Sequence, residues 1–103
     1  MLSVKAYAVV SAALFGLGVY GALARRHVIA VMIGIELMFS AAALNFVAFS
    51  RLHPVAQAVS GQVFAVFIIT VAAAETIVGL ALVLSLFRSV KSPQLDRYDL
   101  LKW

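Results

Sequence analysis

Residues Val28–Ser50, with the sequence VIAVMIGIELMFSAAALNFVAFS, form an almost unbroken apolar run that contains one carboxylate, Glu36. A run of about 20 apolar residues, at about 1.5 Å per residue, spans the hydrocarbon core of a bilayer, which is about 30 Å thick. The run therefore predicts a transmembrane helix, with Glu36 about 12 Å from one end. An acidic residue at such a depth costs about 2.5 to 3.5 kcal/mol on insertion scales, which makes Glu36 a candidate functional residue.

A second glutamate interrupts another long apolar run in the same way. Glu75 lies within the segment from about 61 to 87, and Glu36 and Glu75 are the two glutamates of the chain. Desolvation penalises the charged form of a carboxyl group, and no Lys, Arg or His lies inside the apolar runs to hold either acid ionised. We expect both acids to exchange protons or to pair with cations from another subunit. The alternative is two structural acids that are hydrogen-bonded in helix packing.

The composition defines the class of protein. The 103 residues are 65% hydrophobic and 12% charged, whereas a soluble domain carries about 25% charged residues. We therefore predict an all-α integral membrane protein, a single membrane domain over 1–103 with transmembrane helices at about 3–24, 28–50 and 60–87 and a cytoplasmic tail at 88–103. The absence of cysteine excludes disulfides and thiolate metal or iron–sulfur ligation within this chain. The net charge is +4, but the basic residues lie at the ends of the apolar runs, where they act as topology signals, so nucleic acid is not an expected partner.

The basic residues predict the orientation of the helices. Six of the eight Lys and Arg residues lie in the first link and in the tail: Arg25, Arg26, Arg88, Lys91, Arg97 and Lys102. By the positive-inside rule, the first link and the C-terminus face the cytoplasm, and the N-terminus faces the periplasm or lumen. Arg25 and Arg26 are also candidates for supporting proton transfer at the inner mouth or for holding a partner subunit. His27 is either a solvated residue or a proton relay.

The first apolar run, 6–24, has two rival interpretations. Lys5 is a basic start and Ala22–Ala24 (ALA) resembles a small-x-small cleavage site, as in a signal peptide. However, the run exceeds the signal core of about 7 to 15 residues and two arginines follow it, which favours a spanning helix. Gly16–Gly21 is formally a G-x-G-x-x-G motif. It lacks the preceding strand and the amphipathic helix of a dinucleotide site, so we interpret its small residues as a surface for close helix packing.

The 100° step of an α-helix predicts what surrounds each acid. Asn45 projects roughly opposite Glu36, and we expect it to form an interhelical hydrogen bond. Ala72 and Gly79 share the face of Glu75. Small residues beside a buried acid leave room for a packed helix or for water, either of which can satisfy the carboxyl group.

Several motifs together resemble one family: Gly34–Met38 (GIELM), Leu44–Asn45, Gly61–Phe67 (GQVFAVF), Ala72–Glu75 (AAAE) and Val78–Ala81 (VGLA). Over nearly its whole length the chain is similar to the K subunit of respiratory complex I, the NuoK/NdhE family. Its ending, Asp99–Trp103, resembles cyanobacterial members. Ser40 and Ala43 depart from the pattern, because similar sequences often have asparagine there.

The resemblance implies three transmembrane helices, Glu36 and Glu75 in a proton path, and a basic first loop that matches Arg25 and Arg26. It implies a subunit without redox chemistry in a proton-translocating NAD(P)H-quinone or ferredoxin-quinone oxidoreductase, with plastoquinone as the quinone of cyanobacterial forms. This chain is expected to bind no cofactor or metal, since FMN, iron–sulfur clusters and quinone belong to the wider complex. The implied partners are antiporter-like and small hydrophobic membrane subunits within the lipid bilayer. The implied location is a cyanobacterial thylakoid membrane, or otherwise a bacterial inner membrane.

Other functions compete with this interpretation. The nearest is the small subunit of a multisubunit cation/proton antiporter, which would not co-purify with flavin and iron–sulfur subunits. A small drug/proton exporter also uses a membrane glutamate, but such chains resemble four-helix proteins with the acid in the first span. A purely structural membrane scaffold would tolerate removal of either acid.

Overall fold

A computed structural model of the chain describes residues 3–90, which fold into three α-helices. They are α1 (Val4–Ala24), α2 (Val28–Ser50) and α3 (Val55–Val90). All three are long and apolar enough to cross a membrane, so within residues 3–90 the prediction of an all-helical chain with three helices of spanning length is confirmed. The predicted tail beyond residue 90, including the motif at 99–103, lies outside the described residues.

The central helix α2 packs against both α1 and α3, whereas α1 and α3 make little contact with each other. Arg25, Arg26 and His27 form the short link that turns α1 back into α2. His27 is exposed and is the N-cap of α2, because its Nδ1 accepts a hydrogen bond from the backbone N–H of Ile29 at 3.2 Å. This capping role was not predicted from the sequence.

Glycines bring α1 and α2 into close contact. A Cβ atom on Gly34 would lie 2.6 Å from the carbonyl oxygen of Gly18 and 2.7 Å from the backbone nitrogen of Ala22. Gly21 faces the same contact, since its Cβ would lie 3.5 Å from the Cα of Gly34. The prediction of close helix packing is therefore confirmed for Gly18 and Gly21. At Gly16 a Cβ would have nothing within 4 Å among residues 3–90, so this glycine takes no part in the contact between α1 and α2.

A polar contact joins the same two helices farther along. Ser11 is 2% exposed, and its hydroxyl group donates to Oδ1 of Asn45 at 2.6 Å. The predicted interhelical hydrogen bond of Asn45 is confirmed. Because Glu36 projects toward α3, as described below, α2 uses one face for α1 and another for its acid.

The start of α3 differs from the prediction. The helix begins at Val55 rather than near residue 60, so the connection between α2 and α3 is limited to residues 51–54. The carbonyl oxygen of Pro54 accepts hydrogen bonds from Gln57 and Ala58, both at 2.9 Å, so Pro54 closes the first helical turn. Proline is tolerated at a helix start because no backbone N–H is needed there. At its other end, the helix continues through Val90 instead of stopping at residue 87.

The length of α3 exceeds what a bilayer requires. Its 36 residues measure about 54 Å, compared with a hydrocarbon core of about 30 Å. At the usual tilt of a spanning helix, about 20°, α3 extends beyond the hydrocarbon core.

Candidate functional site

Glu36 lies at the contact between α2 and α3. Its side chain is half-buried, and its Oε1 accepts a hydrogen bond from the hydroxyl group of Thr76 on α3. This contact orients the carboxyl group away from α1 and toward the third helix. One of the two carboxyl oxygens of Glu36 therefore has a hydrogen-bond partner on the neighbouring helix.

Glu75 lies beside the same contact, one residue before Thr76. The two glutamates line a single cavity of about 180 Å³ between α2 and α3. The other residues that line it are Met32, Ile35, Thr76 and Gly79. The structure therefore brings together the two acids that the sequence singled out. Glu75 is the more exposed of the two.

A second cavity touches Glu36 from the other direction along the helix. It measures about 150 Å³, and Ser40 is among its lining residues. A cavity holds a water molecule once it offers about 10 to 15 Å³ to the probe centre and has polar partners. Both cavities exceed that size, so there is room for water beside the Glu36 carboxyl group on two sides. Ala43 is buried and lines neither cavity.

Small residues of α3 lie at this contact. Ala72 is 4% exposed, and a Cβ on Gly79 would lie 2.8 Å from the terminal methyl group of Met32. The predicted close packing by Ala72 and Gly79 is therefore present, but these two residues flank Thr76 rather than Glu75. The buried or half-buried stripe of α3 consists of residues 58, 61, 65, 68, 72, 76, 79, 83 and 86, with residue 71 beside it, and the exposed Glu75 lies at its edge.

Thr76 is the residue of this site that the sequence analysis missed. A signal for it exists in the spacing, because Thr76 follows Ala72 by four residues and precedes Gly79 by three, and residues so spaced share a helix face. A hydroxyl group on the same face as two small residues is a candidate interhelical donor in a membrane.

The structure does not bring the two arginines to the acids. Arg25 and Arg26 are exposed in the link between α1 and α2, and they line neither cavity that contains Glu36. Counted along α2, Glu36 lies about 12 Å from that end of the helix. Within residues 3–90, no cluster of three or more acidic or histidine side chains suited to hold a metal ion is present.

Comparison with known proteins shows the family of this chain. The family model described as NADH-ubiquinone/plastoquinone oxidoreductase chain 4L matches residues 6–103. The chain belongs to this family. The resemblance to the K subunit is confirmed, because the relatives of this chain are named either subunit K or subunit 4L.

Relatives of the 4L/K family match this chain over almost all of its length. It is 46% identical over 101 residues to NADH-quinone oxidoreductase subunit K of Desulfitobacterium hafniense, covering 94% of this chain and 92% of the relative. It is also 46% identical over 103 residues to NAD(P)H-quinone oxidoreductase subunit 4L of a Synechococcus species, covering 100% of both chains. The chloroplastic subunit 4L of Chaetosphaeridium globosum is 43% identical over 95 residues, covering 92% of this chain and 94% of the relative.

Membership of the 4L/K family makes this chain a subunit of an NAD(P)H-quinone oxidoreductase. Its partners therefore include other subunits of that complex, and its helices are those of an integral membrane protein. None of the three relatives is named as an antiporter subunit.

Proposed function

We propose that this chain carries protons through the membrane part of an NAD(P)H-quinone oxidoreductase, with Glu36 and Glu75 as successive proton-binding sites. The observation that carries the proposal is that both acids line one cavity between two spanning helices. A carboxyl group accepts hydrogen bonds when ionised and also donates one when protonated. Two such groups that share a cavity can pass a proton between them, directly or through water.

The membrane surroundings favour proton exchange over a fixed charge. Desolvation penalises an ionised carboxyl group, and the nearest partner of Glu36 is a neutral hydroxyl group. The cost of keeping an acid in the hydrocarbon core explains why such residues are usually functional. Each acid also lines a second cavity, Glu36 together with Ser40 and Glu75 together with Val78 and Leu82.

The exposed sides of α3 point to neighbouring subunits. Glu75 forms no hydrogen bond or ion pair within residues 3–90, and Ile77 and Val78 beside it are 69% and 59% exposed. An exposed acid in hydrocarbon needs a polar partner. In our proposal an antiporter-like or small hydrophobic membrane subunit covers this side of α3 and provides that partner.

The remaining parts of the proposal follow the charge pattern and the relatives. The N-terminus faces the periplasm or lumen and the C-terminus the cytoplasm, so that Arg25 and Arg26 support the path at its inner mouth. FMN, iron–sulfur clusters and quinone are bound by other subunits, and this chain adds no redox chemistry. The full-length match to a Synechococcus subunit supports plastoquinone reduction in a thylakoid membrane. The equal identity to the Desulfitobacterium subunit supports a bacterial inner membrane as the alternative.

The proposal is tested by Glu36→Gln and Glu75→Gln in the assembled complex. Both changes keep the shape of the side chain and remove its titratable proton. We expect loss of quinone-linked proton pumping in native membranes, at an unchanged amount of assembled complex. Asp96→Asn, the same acid-to-amide change in the predicted tail, is the matched control and is expected to pump normally. Normal pumping in either glutamine variant would refute the proposal that the two acids act in succession.

A further inference from the structure

We propose that Thr76 is a positioning residue whose hydroxyl group satisfies Glu36 both when the carboxyl group is ionised and when it is protonated. This inference rests on the proposed function, because it concerns how Glu36 gains and loses a proton. It adds a residue that the motifs of the sequence did not point to.

The geometry places the Thr76 hydroxyl group between two acceptors. Oγ1 of Thr76 is hydrogen-bonded to Oε1 of Glu36 on α2 and lies 2.9 Å from the carbonyl oxygen of Ala72 on its own helix. A hydroxyl group has one hydrogen and two lone pairs. It therefore donates to only one of these acceptors at a time, and it can accept a hydrogen bond while it donates.

The two acceptors correspond to the two protonation states of Glu36. When Glu36 is ionised, the Thr76 hydroxyl group donates to the carboxylate oxygen. When Glu36 is protonated, its O–H donates to Oγ1 of Thr76, and the Thr76 hydrogen rotates to the Ala72 carbonyl oxygen. In both states the hydroxyl group and the carboxyl oxygen facing it are paired.

This double pairing matters because the site is inside a membrane-spanning helix pair. A polar group left unpaired in hydrocarbon costs several kcal/mol, and a partner that served only one protonation state would hold Glu36 in that state. Rotation of one O–H bond removes this bias without moving either helix. The other titratable group that faces the cavity is Glu75 on α3. On its opposite face, α2 meets the neutral Ser11 of α1.

The same helix contains a matched control. The Thr70 hydroxyl group donates to the carbonyl oxygen of Val66, four residues earlier, at 2.9 Å. This is the same local bond that Thr76 makes with Ala72. Thr70 is exposed and lines neither cavity of Glu36. Thr70→Val therefore removes an equivalent hydroxyl group and leaves the acid untouched.

The experiment compares Thr76→Val, Thr76→Ser and Thr70→Val in the assembled complex in native membranes. Infrared difference spectra during turnover report the carbonyl stretch of protonated Glu36, and the band is assigned by its loss in Glu36→Gln. We expect Thr76→Val to shift this band and to slow quinone-linked proton pumping about tenfold, the scale of one lost hydrogen bond to a charged group. Thr76→Ser restores the band position and the rate, and Thr70→Val changes neither.

The inference is overturned if the band and the rate of Thr76→Val match those of the unaltered complex, or if Thr70→Val changes them equally. If Thr76→Val does not assemble, Thr76→Ala lacks the same hydroxyl group with a smaller side chain and must give the same shift. Failure of the proposed function gives a different result from failure of this inference, because Glu36→Gln would then pump normally. Loss of pumping in Glu36→Gln with no effect at Thr76 would overturn only the role of Thr76.

Discussion

Replacing Gly34 by alanine is expected to force α1 and α2 apart. The added Cβ would lie 2.6 Å from the carbonyl oxygen of Gly18 and 2.7 Å from the backbone nitrogen of Ala22. Both are backbone atoms of a helix, so no side-chain rotation relieves the overlap. Non-bonded heavy atoms need about 3.5 Å, so the helices must separate by about 1 Å at this level. A gap of that size forfeits about a quarter to a half of the local contact energy, and overpacking of this kind costs about 1 to 3 kcal/mol.

The amount of assembled complex on native gels, followed over a temperature series, measures the effect of Gly34→Ala. We expect the complex to lose this subunit at a lower temperature than the unaltered complex. Gly16→Ala is the matched control on α1, because a Cβ at that position has nothing within 4 Å in the described part of the chain. Equal behaviour of the two variants would mean that Gly34 does not form the closest contact between α1 and α2.

Two further predictions concern the packing and the start of α3. A double-mutant cycle of Ser11→Ala and Asn45→Leu is expected to give a coupling free energy of about 0.6 kcal/mol, and about 1.7 kcal/mol is the upper end for such bonds in membranes. Thermal dissociation of the complex measures the coupling, and a value of zero would contradict a hydrogen bond between Ser11 and Asn45. Val59→Pro is expected to prevent assembly on native gels, because proline inside a helix costs about 3 kcal/mol or more. Normal assembly of Val59→Pro would mean that residues 55–60 form a loop, as the sequence first suggested.

The sequence predicts most of the fold because each spanning helix is an apolar run with clear ends. The predicted limits of α2, 28–50, agree with the structure, since polar residues flank the run on both sides. The start of α3 is different because Pro54 can either end a helix or begin one. The residues that follow, VAQAVS, contain no glycine or proline to decide between these roles. Only the hydrogen bonds accepted by Pro54 settle where α3 begins.

The site is only partly predictable for a different reason. Glu36 and Glu75 stand out because a carboxylate in an apolar run is costly. Their shared cavity depends on how α3 is rotated about its axis, and a helix that is apolar almost all round gives no periodic signal for that rotation. The role of Thr76 was missed for the same reason. A threonine in a membrane helix can satisfy its hydroxyl group on its own backbone, as Thr70 does, so its partner on another helix becomes visible only in the structure.

Whether the two carboxyl groups serve one proton path is decided by comparing Glu36→Gln, Glu75→Gln and the double variant. The measured quantity is the number of protons pumped per quinone reduced in native membranes, at equal amounts of assembled complex. Because both acids line one cavity, we expect them to act in series, so that each single variant loses as much pumping as the double variant. Normal pumping in either single variant, or partial losses that add up in the double variant, would contradict a single path through Glu36 and Glu75.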